Sequence, residues 1–204
     1  PNSHCQMMSY VLQTAEGRLV VIDGGCRPDG EALLRFLEKL GGPRPTVAAW
    51  FLTHAHDDHI GALTELLEHH REEFTVERIL CNLPPLAWTQ AVESVAAHAN
   101  REHGPLLAAA GDKIAAVSAG ERISVDEMVF RVLRVPDLNL TVNPLNNSSI
   151  VLRLTVEGGR TVLFVGDLGV EGGAVRLGAD SHRGDAQLPA GADDPHRDLP
   201  PVGD

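Results

Sequence analysis

Positive charge is scarce in this 204-residue sequence: 17 Lys plus Arg stand against 28 Asp plus Glu, a formal net charge of −11. That balance argues against a surface built to condense on nucleic-acid phosphates or anionic lipid, and leaves room only for a local basic groove. No apolar run approaches the roughly 20 residues that a membrane-spanning helix needs, so no membrane contact is expected. The amino end, Pro1-Asn2-Ser3-His4, lacks the charged-then-apolar order of a secretory signal. It also lacks an initiating methionine, which leaves open a removed leader or an upstream segment. Cysteine is sparse as well. Cys5, Cys26 and Cys81 are odd in number, widely spaced and without a CxxC pair. They favour free, buried thiols in a reducing compartment over a disulfide framework, and with that a cytoplasmic location. Internal repeats are absent. What remains is an ordinary globular composition, 43% hydrophobic and 22% charged, at a length that suits one domain of about 150 residues or somewhat more.

The patterning alternates between sheet and helix. Ser9 to Thr14 and Arg18 to Asp23 are β-rich runs around Ala15-Glu16-Gly17, which reads as a hairpin. Glu31 to Leu40 places Leu33, Leu34, Phe36, Leu37 and Leu40 on one helical face before Gly41-Gly42-Pro43 stops it. Val47 to Thr53 is a continuous apolar run of strand length, consistent with a strand covered on both faces, and it delivers the chain into His54. A helix is predicted from Ile60 to His70, with Asp58 just before it as the capping carboxylate. Thr75 to Cys81 reads as a strand, and Pro84-Pro85 introduces a helix from Leu86 to about Glu102 with Trp88, Val92, Val95 and Ala96 inward. His98 and His103 fall on its surface. Five short β-rich runs follow: Lys113 to Ala119, Arg122 to Val125, Met128 to Val135, Ser149 to Val156 and Arg160 to Val165. Two sheet-rich segments flanked by helices predict a layered α/β (α+β) sandwich. The domain is expected to span residues 1–177, and the Gly-, Asp- and Pro-rich stretch 178–204, poor in large aliphatic residues, is expected to be a disordered or atypical tail.

The chemistry concentrates in His54-Ala55-His56-Asp57-Asp58-His59, three imidazoles and two carboxylates in six residues at the passage from strand to helix. Imidazole and carboxylate are the ligand set suited to zinc, and a loop lets residues at uneven spacing converge on one point. Asp23, before Gly24-Gly25, reads equally as a turn former and as a carboxylate that orients a metal-bound histidine. Asn146-Asn147 reads as a turn before a strand or as amides directed at water or substrate. His69-His70 reads as a solvated helix end.

The run Thr53-His54-Ala55-His56-Asp57-Asp58-His59-Ile60-Gly61 resembles the signature of the metallo-β-lactamase-fold metallohydrolases. Leu19-Val20-Val21-Ile22-Asp23-Gly24-Gly25 resembles that family's second strand and its DxG turn, and Thr161-Val162-Leu163-Phe164-Val165-Gly166-Asp167 its later strand ending in a metal-bridging aspartate. The resemblance implies a four-layer αββα sandwich, with His54 and His56 on one metal, Asp58 and His59 on a second, and Asp167 bridging them. It implies two zinc ions, with manganese or iron as alternatives, that activate a shared water, and it gives Asp58 and Asp167 the catalytic positions. Asp57 falls at the family's variable position. His59 and the absence of cysteine after Asp167 speak against the zinc-cysteine lactamase class, and His56 against the di-iron flavoprotein relatives. The stretch Asn146 to Leu152 followed by the Asp167 strand is similar to the subgroup that includes the hydrolase domain of bacterial DNA-uptake channel proteins, where most relatives carry a histidine at Asn146 or Asn147. A phosphodiester substrate is the reading this favours, ahead of a thioester or lactone substrate and of a catalytically inactive metal-binding domain. After Asp167 the family pattern of a further strand and a final histidine has no counterpart, and His182 and His196 lie in the tail. The sandwich is therefore expected to be incomplete at its carboxyl end, as in a fragment or a chain ended by an altered reading frame.

Overall fold

A computed structural model describes residues 6–93, 101–156 and 158–174. The tail expected at 178–204, with His182 and His196, lies outside the described residues, as do Val95, Ala96 and His98. In chain order the elements are β1 (Ser9–Gln13), β2 (Leu19–Asp23), a 3-10 turn at Arg27–Asp29, α1 (Gly30–Gly41), β3 (Thr46–Leu52), α2 (Asp57–His69), β4 (Thr75–Val76), β5 (Ile79–Cys81), α3 (Leu86–Val92), α4 (His103–Ala110), β6 (Ile114–Ala116), β7 (Arg122–Val125), β8 (Met128–Arg134), β9 (Val151–Thr155), β10 (Thr161–Phe164) and α5 (Val170–Ala174).

β1 and β2 form the expected antiparallel hairpin, and β2, β3, β5 and β6 continue the sheet in parallel, with β4 also paired to β3. The second sheet is antiparallel in the order β10-β9-β8-β7. Two-residue periodicity divides the first sheet between two cores. Leu19 and Val21 of β2, Trp50 and Leu52 of β3, and Ile79 and Cys81 of β5 face Leu33, Leu34 and Leu37 of α1, Ile60, Leu63 and Leu66 of α2, and Leu106 of α4. Val20, Ile22, Phe51 and Leu80 face the opposite way, onto Ile123, Phe130, Val132, Leu152 and Leu154 of the second sheet. This is why β2 and β3 are apolar without alternation: both faces are covered. Helices, sheet and sheet make three layers among the described residues, and the architecture is the mixed α/β sandwich the patterning predicts. No helix among them is long and apolar enough to cross a membrane.

Several local expectations are corrected. The run 75–81 is two short strands, and the helix expected from Leu86 ends at Val92, where Glu93 takes an extended backbone (φ −121°, ψ 117°). Helix α2 starts at Asp57, so Asp58 sits in its first turn and His56 occupies the capping position. An acid there still suits the positive end of the helix. Cys26 is disulfide-bonded, against the expectation of free thiols. The disulfide removes the thiol argument for a reducing compartment. Cys81 is the buried free thiol expected, its pKa pushed up to about 11 by burial.

His103 is also not a surface residue. It is fully buried at the start of α4, and neither ring nitrogen has a hydrogen-bond partner. The cause is the close seating of α4 on α2: Arg27 from the 3-10 turn pairs with Glu65 and Glu68 of α2 and, through two nitrogens, with Glu102, while Asp57 Oδ1 accepts the Glu102 N–H at 2.9 Å. Burial lowers the His103 pKa below its ordinary 6.5. The unfolded chain therefore takes up a proton below pH 6.5 that the folded chain refuses, and stability falls with pH there until the folded pKa is reached. His103→Leu is expected to remove this part, flattening the acid limb of a urea-denaturation pH series by up to about 1.4 kcal/mol per pH unit. An unchanged slope would show that His103 does not contribute to it.

Candidate metal centre

The site stands where β3 ends and α2 begins. Its foundation is Asp23 at the end of β2, buried and held at φ +57°, a left-handed conformation that is uncommon for a residue with a side chain. The Trp50 indole N–H donates to the Asp23 carbonyl at 3.1 Å and fixes this turn. The carboxylate then faces β3: Oδ1 accepts the Thr53 N–H at 2.8 Å, and Oδ2 accepts the Thr53 hydroxyl at 2.9 Å and His59 Nδ1–H at 2.9 Å. Asp23 thus stands at the turn and also holds the His59 ring.

These bonds aim the imidazoles. With Nδ1 held by Asp23, His59 presents Nε2 at 3.3 Å from Asp167 Oδ1 and 3.8 Å from Asp58 Oδ2. His54 Nδ1 lies 3.1 Å from the Thr53 hydroxyl, which leaves Nε2 facing His56 Nδ1 at 2.9 Å. His56 in turn places Nε2 at 3.0 Å from Glu93 Oε2. Each ring is gripped at one nitrogen by a protein oxygen and offers the other to a common space, the arrangement by which partner groups fix ligand tautomers.

Asp167 arrives from the second sheet. Gly166, at φ +55°, lies so close to β3 that a Cβ there would stand 2.8 Å from Ser149 Oγ and 2.9 Å from Thr53 Oγ1. Glycine alone permits that approach without strain. The Ile150 N–H donates to the Thr53 carbonyl at 2.9 Å, and the Asp167 N–H to Ser149 Oγ at 3.2 Å, tying the two sheets together at the site. His54, His59 and Asp167 consequently offer ligand atoms that all lie within 4.8 Å of one another, a set that could hold a metal ion.

The two asparagines separate. Asn146, at the start of a 3-10 turn over Asn146–Ser148, lies with its buried Oδ1 against His54. Asn147 faces the other way: its Oδ1 accepts the Gly169 N–H at 2.9 Å and its Nδ2 donates to the Val142 carbonyl at 2.7 Å. Asn147 thus ties the turn to its neighbours, because a 3-10 turn points consecutive side chains in different directions. Asp57 also turns away, to Glu102.

Electrostatics within the site are uneven. Burial, with His59 and His56 nearby, holds the His54 pKa well below 6.5, and Asn146 opposes this only in part. Burial would lower His59 too, but the carboxylates of Asp167 and Asp23 outweigh it and push its pKa up to about 10. Asp167 is held below the usual carboxylate range by His59. The donor set fits a metal: His54 Nε2 and His56 Nδ1 meet at 2.9 Å, and His59 Nε2 lies buried beside Asp167 Oδ1 at 3.3 Å. Imidazole nitrogens and a carboxylate converging on one point are a donor set that suits zinc.

Sequence reasoning missed Glu93. It fell inside what read as one continuous helix, and no periodic signal marks the break that turns it toward His56.

Comparison with known proteins bears on the fold. The family model of the metallo-beta-lactamase superfamily matches residues 4–200. Among solved structures, the Rm3 metallo-beta-lactamase is similar at 16% identity and a TM-score of 0.50, over 76% of this chain and 53% of that one. The subclass B3 metallo-beta-lactamase BJP-1 of Bradyrhizobium japonicum is 19% identical over 76% of this chain and 54% of that one, with a TM-score of 0.48. The metallo-beta-lactamase fold protein YhfI from Bacillus subtilis is 15% identical over 81% and 56%, with a TM-score of 0.49. The chain spans little more than half the length of these structures. No curated protein matches it. With the model covering most of the chain and the sandwich in place, the chain belongs to the metallo-beta-lactamase superfamily.

Proposed function

We propose that this chain is a zinc-dependent hydrolase of a phosphodiester or a related ester. The observation that carries the reading is the pair of facing nitrogens, His54 Nε2 and His56 Nδ1, 2.9 Å apart beside His59 and Asp167. In this reading His54 and His56 would hold one zinc ion, Asp58 and His59 a second, and Asp167 would serve both. The bound ions supply Lewis acidity and lower the pKa of water. The side chains do the rest. Asp23, Thr53 and Glu93 keep the imidazoles aimed. Asp58, the more open carboxylate of the α2 turn, is placed to take a proton from attacking water. Asn146 Oδ1 offers an acceptor to that water or to a substrate hydroxyl. The similarity of the Asn146–Leu152 stretch to DNA-uptake hydrolase domains favours a phosphodiester over a thioester or lactone.

One observation favours a second reading, a metal-binding domain without turnover: the side chain that lies against His54 is the amide of Asn146, and an amide is a poor zinc ligand. A hydrolysis panel separates the readings. With zinc present, bis(p-nitrophenyl) phosphate is expected to turn over, and a chelator is expected to stop it. Turnover of only the thioester or lactone members would correct the substrate, and zinc binding without turnover of any would establish the second reading.

A further inference from the structure

We propose that Glu93 is the positioning residue of this centre: its carboxylate takes the His56 Nε2 proton in a hydrogen bond and leaves Nδ1 as the lone-pair donor toward His54 Nε2. The inference rests on the metal reading above and goes beyond it, because it assigns which nitrogen of His56 serves and which element decides it. A free imidazole distributes its proton between both nitrogens, and only the tautomer with Nε2–H can face a metal through Nδ1. His56 is on a loop and caps α2 with its backbone (φ −72°, ψ 147°), so the backbone alone does not choose its ring orientation. Glu93 Oε2 at 3.0 Å does. Both side chains are largely removed from solvent, 12% and 18% exposed, where a charged acceptor competes well against water. His59 receives the same treatment from Asp23 Oδ2 at 2.9 Å, and His54 from Thr53 Oγ1 at 3.1 Å. Glu93 thereby completes a set in which every histidine of the loop has an oxygen partner behind it. The two carboxylates differ in origin. Asp23 is part of the sheet, whereas Glu93 comes from the residue that ends α3, after Pro85 and a helix of only seven residues. Metal affinity is therefore coupled to where α3 ends.

The experiment compares the parent protein with Glu93→Ala and Glu93→Gln, using zinc titration against a competing chelator and a long-range proton–nitrogen spectrum of the chelator-treated protein. Glu93→Ala is expected to weaken zinc binding by about 10–100-fold, the range for losing the partner of a metal-bound histidine. Its His56 signals are expected to shift from the Nε2–H tautomer to a mixture. Glu93→Gln keeps an acceptor oxygen and is expected to keep the tautomer, with an affinity between the other two. A general loosening of α3 would weaken binding without moving the tautomer, so an unchanged tautomer in a folded Glu93→Ala protein overturns the proposal, as does unchanged zinc affinity. Should Glu93→Ala fail to fold, loss of the Nε2–H tautomer in Glu93→Gln overturns it and retention supports it. A parent protein that binds no zinc would sink the metal reading, while the tautomer comparison would still decide the role of Glu93.

Discussion

Asp23→Ala is expected to destabilise the folded protein by roughly 3–5 kcal/mol, the cost of removing one partner from a buried charge pair. The reasons are local. Asp23 and His59 are 1% and 0% exposed, and their contact is 2.9 Å. Removing the carboxylate leaves the buried Thr53 N–H, Thr53 hydroxyl and His59 Nδ1–H without their acceptor. It also leaves a side chain with no compensating bonds at a left-handed backbone position, φ +57°. Asp167 keeps part of the charge balance of His59, which places the expected value toward the lower end of the range. Asp23→Asn separates the contributions: it keeps the shape and an acceptor oxygen and loses the charge. Its loss should be smaller, because one oxygen still serves Thr53. Equilibrium urea denaturation of the three proteins checks this. An Asp23→Ala protein within about 1 kcal/mol of the parent would mean that the turn is held by the backbone and Trp50 alone.

Asp167→Ala carries the largest expected functional effect. In the proposed centre Asp167 is the group both metals share, so its loss should disturb two sites where His54→Ala or His56→Ala disturbs one. Zinc content is expected to fall from about two ions per chain to below about one. Any zinc-dependent turnover should drop by more than about 100-fold, beyond the usual loss when a supporting partner is removed. The fold should survive, since Asp167 is about one-third exposed and its backbone, not its side chain, holds Ser149. Circular dichroism establishes that the variant is folded before its zinc is counted. Unchanged zinc stoichiometry in a folded Asp167→Ala protein would remove the bridging assignment and leave the four loop residues as the whole centre.

The parts of this structure legible in sequence are those set by short-range periodicity. The hairpin of β1 and β2 follows from two β-rich runs around a Gly-containing turn. The apolar run of β3 announces a strand covered on both faces, and it has one. The histidine loop was readable because its residue types are dense and sit where a strand must end. What escaped depends on long-range contact. Glu93 lies 37 residues from His56, and only the break after Val92 brings it there. His103 has the composition of a surface residue, yet the Arg27 and Asp57 contacts draw its end of α4 onto α2. Asn146 and Asn147 were indistinguishable by type, and the 3-10 turn separates them. The disulfide at Cys26 carried no spacing signal at all.

Metal content per chain, measured by elemental mass spectrometry on freshly purified protein after zinc loading and desalting, tests the central claim most directly. About two zinc ions per parent chain, lost on combined replacement of His54 and His59 by alanine, is the result predicted from the converging imidazoles and the Asp167 carboxylate beside them. A parent chain that retains no more zinc than that double variant would contradict it.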